Sequence, residues 1–424
     1  VWGKNSIDVK YPRYIAPSIE IKKPNWRSFH MEIVKKKEYT TVSNNELLLG
    51  TEFPDGDELI TIPFNPNRRI TIIISGDNDS GKTTLLNSIV YDQLHYRYGR
   101  YIAHIDPKGD TLNIEHPNIN PEFIRKLADH EIYAGGYYLK RIYAKASGML
   151  GIDGQSFIPA LPDFQGADKA TEMNRLKEFF HLTTPDASAA LGLLCAAMQN
   201  KPETIKELLN GIAQMKESGV GERTKKLESE IMARKLTDEL GDESINMPKL
   251  LHDFHILVLR VPLTKETMTD FIASLFVSNI MGSREKAIMT GDGWVNKPTS
   301  IVCDEADKYA GERTLTNSLI NQVTTKFRAL NNTVGLDSIL ASQHISYLDP
   351  TQVLEADYII GTRLNLKADI ELLRPRAGMG IYTMQETEFV IGQHPKEWWI
   401  LDKNGQVFTF YPLPTRCSMK KVSS

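Results

Sequence analysis

Arg69-Ile70-Thr71-Ile72-Ile73-Ile74-Ser75-Gly76-Asp77-Asn78-Asp79-Ser80-Gly81-Lys82-Thr83-Thr84-Leu85-Leu86 is the stretch that decides the fold class. It begins with a run of β-branched apolar residues, the pattern of a strand buried on both faces. The chain then turns through Gly76 and Gly81 and passes into helical spacing at Leu85, Leu86, Ile89 and Val90. The spacing G-x-x-x-x-G-K-T between a buried strand and a helix is that of a P-loop. Gly76 and Gly81 permit backbone angles that turn successive N–H groups toward phosphate oxygens, and the helix starting near Lys82 adds the positive end of its dipole. The candidate nucleotide-binding residues are therefore Gly76, Asp77, Asn78, Asp79, Ser80, Gly81, Lys82, Thr83 and Thr84. Lys82 is expected to reach the β- and γ-phosphates of ATP, and the Thr83 hydroxyl to ligate Mg²⁺. The plainer alternative is a glycine turn that binds nothing; the strand before it and the helix after it favour the loop.

A second landmark is Thr299-Ser300-Ile301-Val302-Cys303-Asp304-Glu305-Ala306-Asp307, an apolar strand ending in Asp-Glu, the Walker B pattern. Asp304 is expected to hold Mg²⁺ through water, and Glu305 to polarise the water that attacks the γ-phosphate. A third strand, Asp337 to Ser342, ends at Gln343. A polar residue at the carboxyl end of a parallel strand points into the crevice where such sheets bind ligands, which makes Gln343 a candidate to sense the γ-phosphate or orient its water.

Composition narrows the classes. The chain has 424 residues, 41% hydrophobic and 24% charged, ordinary for globular domains and long enough for two or three units. A net charge of -3 gives no overall attraction to DNA or membrane, so nucleic-acid contact must come from local patches. Cys195, Cys303 and Cys417 lie far apart without metal-binding spacing, which argues against a disulfide framework or zinc site and fits a reducing, cytoplasmic setting. No apolar run approaches the eighteen or so residues needed to span a bilayer. The first residue is Val1 rather than methionine, which leaves room for an upstream segment.

Along the chain, residues 1–66 read as a basic, aromatic-interleaved arm followed by a hairpin, Leu47 to Gly50 and Leu59 to Ile62. The arm suits either a nucleic-acid contact or an extended segment wrapping a protein surface. Residues 67–110 and 250–375 read as the P-loop core: the helix Leu85–Arg97 leads to the strand Tyr101 to Ile105, a βαβ unit, so the sheet is largely parallel. Between them, residues 111–249 lose the strand signal and read as a mainly helical insertion whose Met and Leu stripes suit packing. Residues 376–424 read as a C-terminal hairpin and tail.

In this order the elements resemble the FtsK–HerA superfamily of ring ATPases, in particular its HerA-like, conjugative coupling and viral DNA-packaging branches. The hairpin before the P-loop, Asp106-Pro107-Lys108-Gly109-Asp110, the strand from Phe254 to Val261, and Leu340-Ala341-Ser342-Gln343-His344-Ile345-Ser346 carry the likeness, over roughly residues 46–110 and 250–370. The resemblance implies a RecA-like P-loop core with a mostly parallel sheet, a helical insertion and small β elements at either end. It implies that Gln343 senses the γ-phosphate and that Arg328 faces a neighbouring subunit's nucleotide as an arginine finger. A surface arginine beside Lys326 is the alternative for Arg328, and Arg363 is a further candidate for the finger. Asp77 and Asp79 stand where the family has small residues, and Ile345 where it has proline; two carboxylates beside a polyphosphate oppose its binding.

The function so implied is ATP hydrolysis by a homo-oligomeric ring, expected to be a hexamer, that moves DNA without reading its sequence. A portal, secretion channel or nuclease would be a partner. The alternatives are a secretion-type or coupling ATPase acting on protein or nucleoprotein, for which the insertion would recruit substrate, and a P-loop switch that binds ATP and scarcely turns over.

Overall fold

Among the described residues, twelve strands join in one sheet, in the spatial order β2-β1-β12-β11-β10-β3-β9-β8-β4-β7-β5-β6. In chain order they are β1 (Glu46–Glu52), β2 (Leu59–Pro63), β3 (Thr71–Ser75), β4 (Tyr101–Ile105), β5 (Lys140–Ala144) and β6 (Gln155–Phe157). Then follow β7 (Ile256–Arg260), β8 (Thr299–Cys303), β9 (Leu336–Ser342), β10 (Tyr358–Gly361), β11 (Trp398–Asp402) and β12 (Val407–Pro412). This is a computed structural model, and it describes residues 45–52, 59–77, 80–128, 132–144, 155–157, 182, 184–197, 205–217, 221–232, 247–261, 266–291, 297–311, 314, 316–317, 319–321, 323, 336–362, 364, 366–376 and 398–417. The N-terminal arm, Asn78, Asp79, Lys326, Arg328 and Arg363 lie outside the described residues.

From β10 to β6 every neighbouring pair runs parallel. Each residue of β3, β4, β7, β8 and β9 is buried, as a parallel sheet covered on both faces requires. Alternate residues feed two apolar layers. On one side Ile72 and Ile74 pack with Leu85, Leu86, Ile89 and Val90 of the P-loop helix. On the other, Ile73 shares a core with Ile272 and Phe276 of the helix Glu266–Thr290 and with Leu191, Leu208, Ile212 and Leu227 from the helices of the 111–249 region. The apolar stripes of those helices are packing, as their spacing implied.

The helix after the P-loop starts as an α-helix, Lys82–Asn87, and continues as a wider π-helix, Ser88–Arg97, before turning at Gly99. It covers the segment expected as one helix, with a different winding. The π-wound part carries buried Asp92 and Gln93, and the Gln93 amide oxygen accepts from Leu48 N at 3.4 Å.

Within the 111–249 region, β5 and β6 extend the parallel sheet beyond β7, where the sequence pattern shows no strand. β5 begins with Lys140 and Arg141, which hides its period; buried Arg141 is held by Glu115 at 2.7 Å and the Thr111 carbonyl at 3.1 Å. The expected hairpins β1–β2 and β11–β12 are both present and antiparallel, and they join the same sheet through β10–β11 and β1–β12.

Candidate active site

Sheet order brings the sequence landmarks together at one edge. β9 lies between β3, which leads into the P-loop, and β8, which leads into Asp304 and Glu305; β4 flanks β8. The register sets Ser75 opposite Ser342 and Ile105 opposite Cys303, so the P-loop, Gln343, the Asp-Glu pair and the turn after β4 all leave the sheet at its carboxyl edge. That edge is where parallel α/β sheets bind ligands.

The P-loop closes tightly. A side chain on Gly76 would meet Ser80 Oγ and Thr362 Oγ1, each at 2.7 Å. Gly81 has φ 91°, a left-handed conformation that favours glycine, and it starts the helix by accepting from Leu85 N at 3.0 Å. Ser80 Oγ is buried and has no hydrogen-bond partner among the described residues, an orphaned polar atom in the loop wall. Asp77, Thr83 and Thr84 are half-buried. Lys82 is buried, and its Nζ donates to the Gly76 carbonyl at 3.2 Å while standing 4.0 Å from Glu305 Oε1.

Asp304 is buried at the end of β8, its backbone N–H donating to the Ile105 carbonyl at 3.1 Å and its own carbonyl accepting from the Tyr309 hydroxyl at 2.6 Å. Its Oδ1 accepts from Glu305 N at 2.9 Å. Glu305 has φ 51°, ψ 42°, left-handed for a residue with a side chain. Such a conformation costs on the order of 1 kcal/mol or more and persists where the surroundings impose it. It turns the buried Glu305 carboxylate back toward Lys82, and Lys108 Nζ donates to the same oxygen, Oε1.

Lys108 sits on a turn organised by Asp106. This buried carboxylate accepts from Gly109 N at 2.7 Å, from Thr111 N at 3.0 Å and from the Thr111 hydroxyl, and it pairs with Arg260 at 3.1 Å. Burial alone would raise its pKa, but His104, Arg260 and the Thr111 hydrogen bonds hold it below the usual carboxylate value. His104 is itself pushed down to about 4 by burial, so Arg260 is the cation that counts at neutral pH.

Gln343 is half-buried; its carbonyl accepts from Ser75 Oγ at 3.2 Å and its N–H donates to Asp307 Oδ1 at 3.4 Å. Asp307 also accepts from Ser342 Oγ at 3.2 Å, so it ties the turn after β8 to the end of β9. Lys82, Glu305, Asp304 and Gln343 are thus gathered at one edge. Lys108, Arg260 and Asp307 are site residues to which the sequence reading assigned no role. The signal that singles out Gln343, a charged or polar residue at the end of a parallel strand, applies equally to Arg260, the last residue of β7.

The donor set suits the expected ligands. The Thr83 hydroxyl and Asp304 carboxylate are hard oxygen donors of the kind Mg²⁺ takes, and the glycine cradle with Lys82 and the orphaned Ser80 hydroxyl suits a polyphosphate.

Fold and edge together define an α/β architecture of the P-loop kind, mostly parallel with antiparallel strands added at one side. Among solved structures the chain is similar to VirB4 of Thermoanaerobacter pseudethanolicus, at 14% identity and a TM-score of 0.56, covering 88% of this chain and 98% of that one. It also matches the bacterial conjugative coupling protein TrwB at 14% identity and a TM-score of 0.49, over 85% and 87% of the two chains. The genome packaging NTPase B204 of Sulfolobus turreted icosahedral virus 2, solved with ATP-gammaS, matches at 12% identity and a TM-score of 0.32, over 82% and 99%. The likeness to VirB4 is one of fold. No family model matches the sequence, and no curated protein matches it. Among the described residues, no helix is long and apolar enough to cross a membrane.

Proposed function

We propose that this protein is an ATP-hydrolysing motor that moves DNA as a homo-oligomeric ring, a hexamer in the FtsK–HerA pattern. The observation that carries the hydrolytic part is the convergence of Lys82 and Glu305, 4.0 Å apart, at the carboxyl edge of β3 and β8. In this reading the P-loop N–H groups and Lys82 hold the phosphates. Thr83 and Asp304 would hold Mg²⁺, which supplies charge neutralisation across the β- and γ-phosphates. Glu305 takes a proton from the attacking water, Gln343 reports the γ-phosphate, and Arg328 reaches the nucleotide of the next subunit. The DNA substrate rests on the sequence resemblance, and contacts to it are expected to be with phosphates rather than bases.

The test has two arms. Glu305→Gln should lower ATP hydrolysis by roughly 100-fold or more while leaving binding of a fluorescent ATP analogue intact, since loss of a general base removes about that much. An unchanged rate would refute the base assignment. Hydrolysis by the parent chain should rise with added DNA and lose that response as salt rises. The second reading, a secretion-type ATPase with a protein or nucleoprotein substrate, is favoured by the helices Pro185–Ala197, Ile205–Glu217 and Gly221–Met232. No response to single- or double-stranded DNA of any length would leave that reading standing and remove the first.

A further inference from the structure

We infer that Lys108 is a positioning residue for the base: it grips one oxygen of Glu305 and leaves the other to take the proton from water. This rests on the reading of Glu305 as the base, and its evidence is geometric. Lys108 donates to Oε1, and Lys82 approaches that same oxygen at 4.0 Å. Among the described residues, no group donates to Oε2.

The two lysines have different commitments. Lys82 exposes 6% of its side chain, donates to the Gly76 carbonyl at 3.2 Å and stands too far from Oε1 for a hydrogen bond. It belongs to the P-loop and to the phosphates. Lys108 exposes 38% of its side chain and makes the direct contact. Glu305 needs such a contact. Its backbone is fixed by the left-handed turn and by the 2.9 Å bond from its N–H to Asp304, but three side-chain torsions remain to be settled.

Lys108 is itself held from beneath. Asp106 collects Gly109 N, Thr111 N, the Thr111 hydroxyl and Arg260. Gly109 takes φ 86° directly against the Arg260 guanidinium, so any side chain there would collide with it. The turn therefore delivers Lys108 as a rigid support rather than a loose surface cation. In the reaction, the water oxygen bonds to the γ-phosphorus as the bond to the β–γ bridging oxygen breaks. The water's proton passes to Oε2, and ADP and phosphate leave. A carboxylate gripped at Oε1 and free at Oε2 meets that water in one orientation. A carboxylate without the grip samples several.

The parent chain is compared with Lys108→Ala, Lys108→Arg, Glu305→Gln and the Lys108→Ala/Glu305→Gln double variant. Steady-state ATP hydrolysis and binding of a fluorescent ATP analogue are measured for each. Lys108→Ala should lower kcat on the order of 10- to 100-fold with KM and analogue affinity little changed. Lys108→Arg should restore most of the rate, and the double variant should be no slower than Glu305→Gln alone. A second readout needs no nucleotide and adds a Glu305→Ala background: the fall in Tm caused by Lys108→Ala should be smaller there than in the parent chain. An unchanged kcat in Lys108→Ala, a rise in kcat, or a loss confined to KM and analogue affinity would each overturn the inference while Glu305→Gln remained inactive. Full activity in Glu305→Gln would instead defeat the base assignment on which it rests.

Discussion

Asp92, on the π-wound part of the P-loop helix, and His104, on β4, are both buried and respond to pH in opposite directions. Asp92 accepts from the Tyr137 hydroxyl and from Arg416 N at 3.1 Å, yet burial pushes its pKa up from 3.8 to about 7. The folded chain therefore keeps a proton there that the unfolded chain gives up near 3.8, and the stability it contributes is lost as pH rises to about 7. His104 shares a 2.6 Å hydrogen bond with the Tyr91 hydroxyl, and burial pushes it down from 6.5 to about 4. The folded state is penalised in acid, and that penalty lifts as pH rises from about 4 to 6.5. At 1.36 kcal/mol per pH unit, the two contributions are roughly 4 and roughly 3 kcal/mol and nearly cancel in their common window. Asp92→Asn should uncouple them. Measured against the parent by thermal unfolding, the variant should gain stability steadily as pH rises from about 4 to 6.5. A difference between the two chains that is independent of pH would show that Asp92 does not hold the extra proton. Neither residue stands out in the sequence, because burial rather than a motif gives each its character. That Lys82, Asp304 and Glu305 meet at one edge was legible for the contrary reason: the strand–loop–helix and strand–Asp–Glu patterns are local in sequence. Lys108 lay in view, in a segment singled out for resemblance, but its partner Glu305 is distant in sequence and only sheet order joins them.

At the level of elements, legibility followed periodicity. β3 and β8 are runs of apolar residues buried at every position, so sequence and structure agree on both. β5 opens on Lys140 and Arg141, and the burial of Arg141 depends on an ion pair with Glu115 that no periodic pattern records. The π-winding of Ser88–Arg97 was likewise invisible, since its apolar positions suit either helix. The first hairpin was legible as a hairpin, whereas its second partner was not. β1 pairs with β2 on one side and with β12 on the other, and its register shifts between Leu48 and Gly50. Gly50 lies so close to the Tyr411 carbonyl of β12 that a Cβ there would overlap main-chain atoms, which cannot rotate away. Gly50→Ala should accordingly push β1 off β12 and destabilise the fold by roughly 3 kcal/mol, the scale of overpacking in a closed site. The thermal midpoint measures this. Since the strained contact is remote from the P-loop, binding of an ATP analogue at low temperature should survive; a variant as stable as the parent would mean that the two strands separate without cost.

For the whole molecule, the carboxyl edge of the sheet depends on what is fixed at the opposite edge. Arg100, immediately before β4, is fully buried and pairs with Asp337 near the start of β9. The same carboxylate accepts from Ile70 N, just before β3, at 2.6 Å and from Ser300 Oγ in β8 at 2.7 Å. Arg100 also donates to the carbonyls of Pro66 at 3.1 Å and Arg68 at 2.7 Å, and its guanidinium lies 4.7 Å from the centre of the Phe64 ring. One ion pair thus levels the amino ends of β3, β9, β8 and β4, the four strands whose carboxyl ends carry the P-loop, Gln343, Asp304 with Glu305, and Lys108. Burial lowers the Arg100 pKa to about 9, which leaves it charged at neutral pH. Removing one partner strands a buried charge, a change that costs about 3 to 5 kcal/mol, whereas removing both costs far less. Asp337→Asn should therefore lower the thermal midpoint sharply, and adding Arg100→Met should recover part of the loss. Recovery should be incomplete, because Ile70 N and Ser300 Oγ lose a charged acceptor in either variant. If the double variant melts below Asp337→Asn alone, the stranded charge is not the cause of the loss. The levelling of the four strands would then come from the apolar layers on either face instead.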